Sequence, residues 1–195
     1  MKKVGLPRWL RSVIHILLCL PFFWLVARGV LNTLDPDPGK TLVHGLGLWA
    51  LRFLLLTLAM TPLNRFTPIQ WIALRRTIGL YTLTYALLHV SAYAFFYLGF
   101  DVSRLARELV KRPYIVVGSA ALSVLVVMGI TSTRRWQQRL GKRWKQLHRL
   151  VYAAVVLVVI HFAWQVKSGF GHAPWYALVF IVLMLLRIKK ISWKR

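Results

Sequence analysis

The chain has 195 residues, 58% of them hydrophobic and 16% charged, against roughly 25% charged in an ordinary soluble domain, and its mean hydropathy is +0.59; this excludes a soluble globular protein and predicts a single membrane domain over 1–195. The net charge of +23 does not point to nucleic acid, because the lysines and arginines gather between the apolar runs, as in loops that face an anionic leaflet. The one cysteine, Cys19, excludes an intrachain disulfide, and there is neither a C-x-x-C-H for covalent heme nor a cysteine set for an iron–sulfur cluster or zinc.

Apolar runs near membrane-crossing length predict an all-α integral membrane protein, a six-transmembrane-helix bundle with spans at about 9–31, 42–63, 77–98, 114–132, 147–166 and 175–188. The first run follows a basic start like a signal peptide's, but its apolar core is long and no small-residue cleavage site stands out, so a retained helix is expected. "DPDPG" at 35–39 breaks the chain because proline lacks an amide donor and clashes with the preceding turn. "TPLNRFTP" at 61–68 is expected to end the second span in the same way. "KRP" at 111–113 opens the fourth, and "GFGHAP" at 169–174 separates the last two.

Lysine and arginine counts orient the spans. The N-terminal segment, the loops at 63–76 and 131–149 and the tail from 187 carry 19, against 6 on the other side, where Asp35, Asp37, Asp101 and Glu108 also fall. Both termini are therefore expected on the cytoplasmic side. His89 and His161 then lie in the outward halves of the third and fifth spans, and His148 lies at the cytoplasmic entrance of the fifth.

His89, in "YALLHVSAY", and His161, in "LVVIHFAW", stand in runs without a charge. A polar ring inside hydrocarbon needs a partner: a hydroxyl such as Ser91 or Thr84, or a ligand. Two imidazoles at matching depth on different spans suit the axial positions of a heme iron, whereas zinc wants about four ligands and finds no carboxylate or thiol there. His148 and His161 are 13 residues apart, a rise of about 20 Å, and 13 steps of ~100° leave them roughly 140° apart on an ideal helix. Either the helix is locally unwound or the two rings serve different partners.

Thirteen or fourteen residues before His89 stand Arg76 and Arg75 rather than histidine. A ladder of four histidines for two hemes is thus incomplete, with an outer pair and His148 alone on the inner side. Arg75 and Arg76 fit a phosphate or a propionate, or serve as an ordinary inner-face anchor. Arg52 falls inside the second span, where a cation is costly and faces a cavity or an anion; a heme propionate is the expected partner.

Several stretches together resemble a known family: "LPFFWL" (20–25), "FLLLTLAMTPL" (53–63), "RRTIGLYTLTYALLHVSAY" (75–93), "KRPYIVVG" (111–118) and above all "TSTRRWQQRLGKRWKQLHRLVY" (131–152) followed by His161. They resemble the MsrQ (YedZ) family of heme-binding membrane subunits, part of the ferric-reductase-like transmembrane group. The resemblance implies heme b, one or two, with His89, His148 and His161 as axial ligands to iron, and His44 as a recurrent histidine of less defined role. It implies FMN as a further cofactor, with His44, Arg52, Arg75 and Arg76 available to a heme propionate or a flavin phosphate. Electrons would come from the quinone pool or a cytoplasmic flavin reductase. They would pass to a periplasmic molybdopterin methionine-sulfoxide reductase subunit, MsrP, across the bacterial inner membrane. The larger relatives append a soluble FAD and NAD(P)H domain, which this chain, ending at Arg195, is expected to lack. Two other readings stay open: a quinone-linked cytochrome b subunit for another periplasmic oxidoreductase, and a small transporter with no redox role.

Overall fold

A helix that is apolar around its whole circumference has no polar face to give to water, and most of the long helices here are of that kind. The computed structural model describes residues 5–31, 33–34, 37–165 and 172–188, and among them the secondary structure is helical, with no β-strand. Among the described residues, five stretches are long and apolar enough to cross a membrane: Arg8–Val30, Pro38–Phe66, Trp71–Leu98, Pro113–Ile130 and Lys142–Gln165. The protein is a multi-pass membrane protein. The expected count of six is not reached on this measure, because the last apolar helix has 16 residues, about 24 Å, against a hydrocarbon core of about 30 Å. Asp35, Lys167 and the basic tail beyond 188, used to orient the spans, lie outside the described residues.

The chain divides into two units, 1–100 and 101–195. In the first, α1 (Arg8–Val30), α2 (Pro38–Phe66) and α3 (Arg75–Tyr93) form the body, with a 3-10 turn over Trp71–Leu74 and a π turn over Ala94–Leu98. Asp37 caps α2 by accepting the Lys40 amide at 2.9 Å, and Pro38 takes the first helical position, where no amide donor is needed. The stretch 61–68 ends α2 as expected, at Phe66 just before Thr67 and Pro68, while Pro62 lies within the helix. Leu18, Leu46, Phe53, Ile78 and Tyr85 are among the buried core residues. The π turn ends at Gly99, whose φ of 57° is the left-handed conformation that glycine adopts cheaply.

α1 contains Pro21, and a proline disturbs the ladder of bonds around it. The Tyr85 hydroxyl donates to the Leu18 carbonyl at 2.9 Å and accepts from the Phe22 amide at 2.9 Å. Leu18 and Phe22 are four apart, the pair a regular helix would bond to each other. A side chain of α3 is therefore spliced into the backbone ladder of α1.

In the second unit α4 (Val102–Lys111), α5 (Pro113–Ile130), α6 (Arg134–Leu140), α7 (Lys142–Leu147), α8 (Val151–Gln165) and α9 (Ala173–Ile188) follow in order. α5 packs along α8, burying Ala121, Leu125, Val151, Ala154 and Val155. Arg187 of α9 donates to the Tyr152 hydroxyl of α8. α4, read from sequence as a loop, is a short strongly amphipathic helix; its charged residues hid it from a search for apolar runs. Asp101 caps it, accepting the Ser103 and Arg104 amides at 2.7 and 3.3 Å. The Ser103 hydroxyl and amide, and then Arg104, hold the Asp101 carboxyl below the usual carboxylate range.

Candidate functional site

His89 stands on α3 and is half-buried. Its Nδ1 lies 2.8 Å from the carbonyl of Val43 on α2. A carbonyl only accepts, so Nδ1 carries the proton and the neutral ring's lone pair resides on Nε2. The ring lies against Gly47, one turn along α2: a Cβ there would come within 3.1 Å of Nδ1 and 3.2 Å of Cε1. The hydroxyl partners expected from sequence are not what fixes this Nδ1; Thr84 donates to Leu80 within its own helix.

His161, in the other unit, repeats the arrangement. It stands on α8, half-buried, with Nδ1 2.6 Å from the carbonyl of Tyr114 on α5. A Cβ at Gly118, four residues beyond Tyr114, would come within 2.7 Å of Nδ1 and 2.8 Å of Cε1. Its lone pair also resides on Nε2.

His148 is held differently. It stacks on Trp144, ring centroids 4.1 Å apart, and its Nε2 lies 3.2 Å from the Thr131 hydroxyl. The Trp144 indole donates to the Thr131 carbonyl at 2.9 Å. A 3-10 turn over His148–Leu150 joins α7 to α8, so the helix is locally tightened rather than unwound. Three residues at ~120° instead of ~100° reduce the offset between His148 and His161 from roughly 140° to roughly 80°. The two rings also have different hydrogen-bond partners, Thr131 for His148 and Tyr114 for His161.

His44 and Arg52 are brought together, though not with His89. They line an open cleft of about 640 Å³ in the first unit, with Trp24, Arg28, Lys40 and Trp49. The Arg52 guanidinium lies over the Trp49 ring at 4.7 Å. Arg52 stands midway along the 29 residues of α2 and about 140° around it from Gly47, so the cleft and the His89 contact use different sides of one helix. Arg75, half-buried, and Arg76, exposed, begin α3. Sequence reasoning missed Val43, Gly47, Tyr114, Gly118, Thr131 and Trp144. The only signal for the glycines is their place four residues after a residue whose carbonyl is used, which no residue type reveals.

Among the described residues no three His, Cys, Asp or Glu side chains gather to hold a caged ion; His89 in the first unit and His161 in the second each bond a carbonyl through Nδ1, and an imidazole presented through its other nitrogen is a ligand type that heme iron accepts. Comparison with known proteins agrees. The family described as ferric reductase like transmembrane component matches residues 46–159, a segment that takes in His89 and His148 and stops just short of His161. A protein-methionine-sulfoxide reductase heme-binding subunit, MsrQ, of Xanthomonas euvesicatoria pv. vesicatoria (strain 85-10) is 43% identical over 175 residues, which is 89% of this chain and 80% of that protein.

Proposed function

The chain belongs to the ferric-reductase-like transmembrane family and, within it, to the MsrQ family of heme-binding subunits, and on that premise we propose that it is a membrane b-type cytochrome delivering electrons to a methionine-sulfoxide reductase catalytic subunit. The observation that carries this is the matched pair of histidines. His89 and His161 each donate Nδ1–H to a backbone carbonyl and so keep the Nε2 lone pair for iron. Heme b supplies a one-electron carrier; the protein supplies its ligands and a low-dielectric surround.

The rest of the assignment follows from this core. Residues 1–195 act as one membrane domain of six spans in the bacterial inner membrane, the short α9 being the sixth, with both termini cytoplasmic by the basic-residue asymmetry. His148, near the cytoplasmic end, serves a second, inner cofactor position. The cationic cleft at His44 and Arg52, and the arginines at 75 and 76, meet a heme propionate or the phosphate of FMN, since a guanidinium matches either group. Quinol or a cytoplasmic flavin reductase is the donor. The acceptor is MsrP, a periplasmic molybdopterin enzyme that repairs methionine sulfoxide in oxidised proteins.

The direct test is anaerobic mixing of the purified, dithionite-reduced protein, freed of excess reductant, with that catalytic subunit and methionine sulfoxide. The reduced heme band is expected to be lost only when both are present. A purified protein without a Soret band, or a reduced band indifferent to the partner, would overturn the assignment.

A further inference from the structure

We propose that Gly47 and Gly118 are positioning residues for the heme-ligating histidines: each glycine opens a seat on its helix for an imidazole, and the carbonyl one turn earlier fixes which nitrogen faces the iron. This rests on the assignment of His89 and His161 as ligands.

Two independent helix pairs show one geometry. Val43 and Gly47 on α2 receive His89 of α3; Tyr114 and Gly118 on α5 receive His161 of α8. The carbonyl and the glycine are four residues apart in both, so the carbonyl points along the helix at the glycine. In a regular turn that carbonyl accepts the glycine amide, and its second lone pair can take the histidine N–H. The order of approach to the would-be Cβ is the same: Nδ1, then Cε1, then Cγ, at 3.1, 3.2 and 3.6 Å for Gly47 and 2.7, 2.8 and 3.2 Å for Gly118. A methyl group at either position would meet the ring at the nitrogen that makes the hydrogen bond. At Gly118 the ring would have to shift, and at Gly47 it would have to give by a few tenths of an ångström, in each case at the hydrogen-bonded nitrogen. An outer hydrogen bond from a ligating histidine sets its ring orientation and raises its basicity as a ligand, so the seats act on both heme retention and potential.

Two other glycines, Gly45 on α2 and Gly79 on α3, supply controls. A Cβ at Gly45 would come as close, 2.8 Å, but to the end of the flexible Leu25 side chain, and one at Gly79 would meet Thr57 at an ordinary 3.8 Å. The experiment compares Gly47→Ala, Gly118→Ala, Gly45→Ala and Gly79→Ala in the full-length protein. The readouts are heme per protein, the low-spin electron paramagnetic resonance signal and the midpoint potential. Gly118→Ala, the tighter seat, is expected to lower heme per protein by about tenfold, the lower end of what loss of such outer contacts costs. Gly47→Ala is expected to keep more heme, with a displaced low-spin signal and potential, while Gly79→Ala matches the parent and Gly45→Ala, beside the Arg52 cleft, keeps the parent's low-spin signal.

A fold-independent measurement accompanies these. In ¹⁵N spectra of the unsubstituted full-length chain prepared without heme, His89 and His161 are expected as Nδ1–H tautomers, against the usual Nε2–H preference of histidine. Nε2–H at both, or Gly47 and Gly118 variants indistinguishable from the controls, would overturn the proposal. A parent protein that binds no heme would instead overturn the ligand assignment beneath it, whatever the tautomers.

Discussion

His148 meets Thr131 through Nε2, at 3.2 Å, and the Thr131 hydroxyl already donates to the Val127 carbonyl at 2.7 Å. The hydroxyl proton is thus committed, the oxygen accepts, and His148 is the donor. Its proton is on Nε2, the reverse of His89 and His161. One residue type is thus presented in two opposite tautomers, Nδ1–H at His89 and His161 and Nε2–H at His148. His148→Ala is therefore expected to leave the outer heme spectrum in place and to alter only a second, inner cofactor population. Identical losses in the His89, His148 and His161 variants would show that the division into two sites is wrong. Thr131→Val removes the acceptor and should lower stability by about 1 kcal/mol, read as a lower thermal midpoint in detergent.

The splice of Tyr85 into α1 gives a prediction independent of any cofactor. Tyr85 is 2% exposed, and its hydroxyl serves both Leu18 and Phe22 beside Pro21. Tyr85→Phe keeps the ring and removes both bonds, an expected loss of about 1–2 kcal/mol. Thermal unfolding followed by tryptophan fluorescence checks it; a midpoint equal to the parent's would mean that α1 closes its own ladder without help.

Arg52 is tested by neutralisation. A charge-assisted contact to a carboxylate or phosphate is worth about 1.5–3 kcal/mol, roughly tenfold or more in retention. Arg52→Gln is expected to lower either heme or flavin per protein by that factor, and whichever falls identifies the anion. Arg52→Lys should not restore it fully, because a lysine ammonium lacks the planar fork. Unchanged ratios for both cofactors would remove Arg52 from the site.

The helix at Val102–Lys111 is the expected docking face for the catalytic subunit. Its charges are mixed: Arg104 pairs with Asp101 at 3.4 Å and Arg112 with Glu108 at 2.7 Å, while Arg107 stands in neither pair. Such surfaces steer weak redox encounters. Reversing Arg104 and Arg107 to glutamate should change the second-order rate of partner reduction about threefold or more at low salt, and change its salt dependence, with the heme spectrum intact. Because a glutamate at 104 would face Asp101, Arg107→Glu alone is the cleaner variant. An unchanged rate, or dependence on the 134–145 segment instead, would place docking on the other face.

The membrane helices and the three histidines within or beside them were legible in the sequence because hydropathy and charge are summed over many residues and survive any packing. What the histidines touch was not. Val43 and Tyr114 act through carbonyls, which every residue has, and Gly47 and Gly118 act by lacking a Cβ, which gives the pattern no polarity to detect. The end of α2 within 61–68 was legible from its prolines, although Pro62 itself lies inside the helix, where a span packed against its neighbours tolerates one. α4 was missed because an amphipathic helix of 10 residues reads as a charged loop when only apolar runs are sought. Arg52 was found by its cost in hydrocarbon, but only the structure separates it from His89 around α2.

The account stands on His89 and His161 as the axial pair, and the ratio of heme to protein in the purified His89→Ala and His161→Ala variants tests it most directly. Loss of the low-spin heme spectrum is predicted in each, with heme per protein falling about tenfold or more, since one remaining imidazole leaves the iron five-coordinate in an apolar site. A complete low-spin spectrum at the parent's ratio in either variant would contradict it.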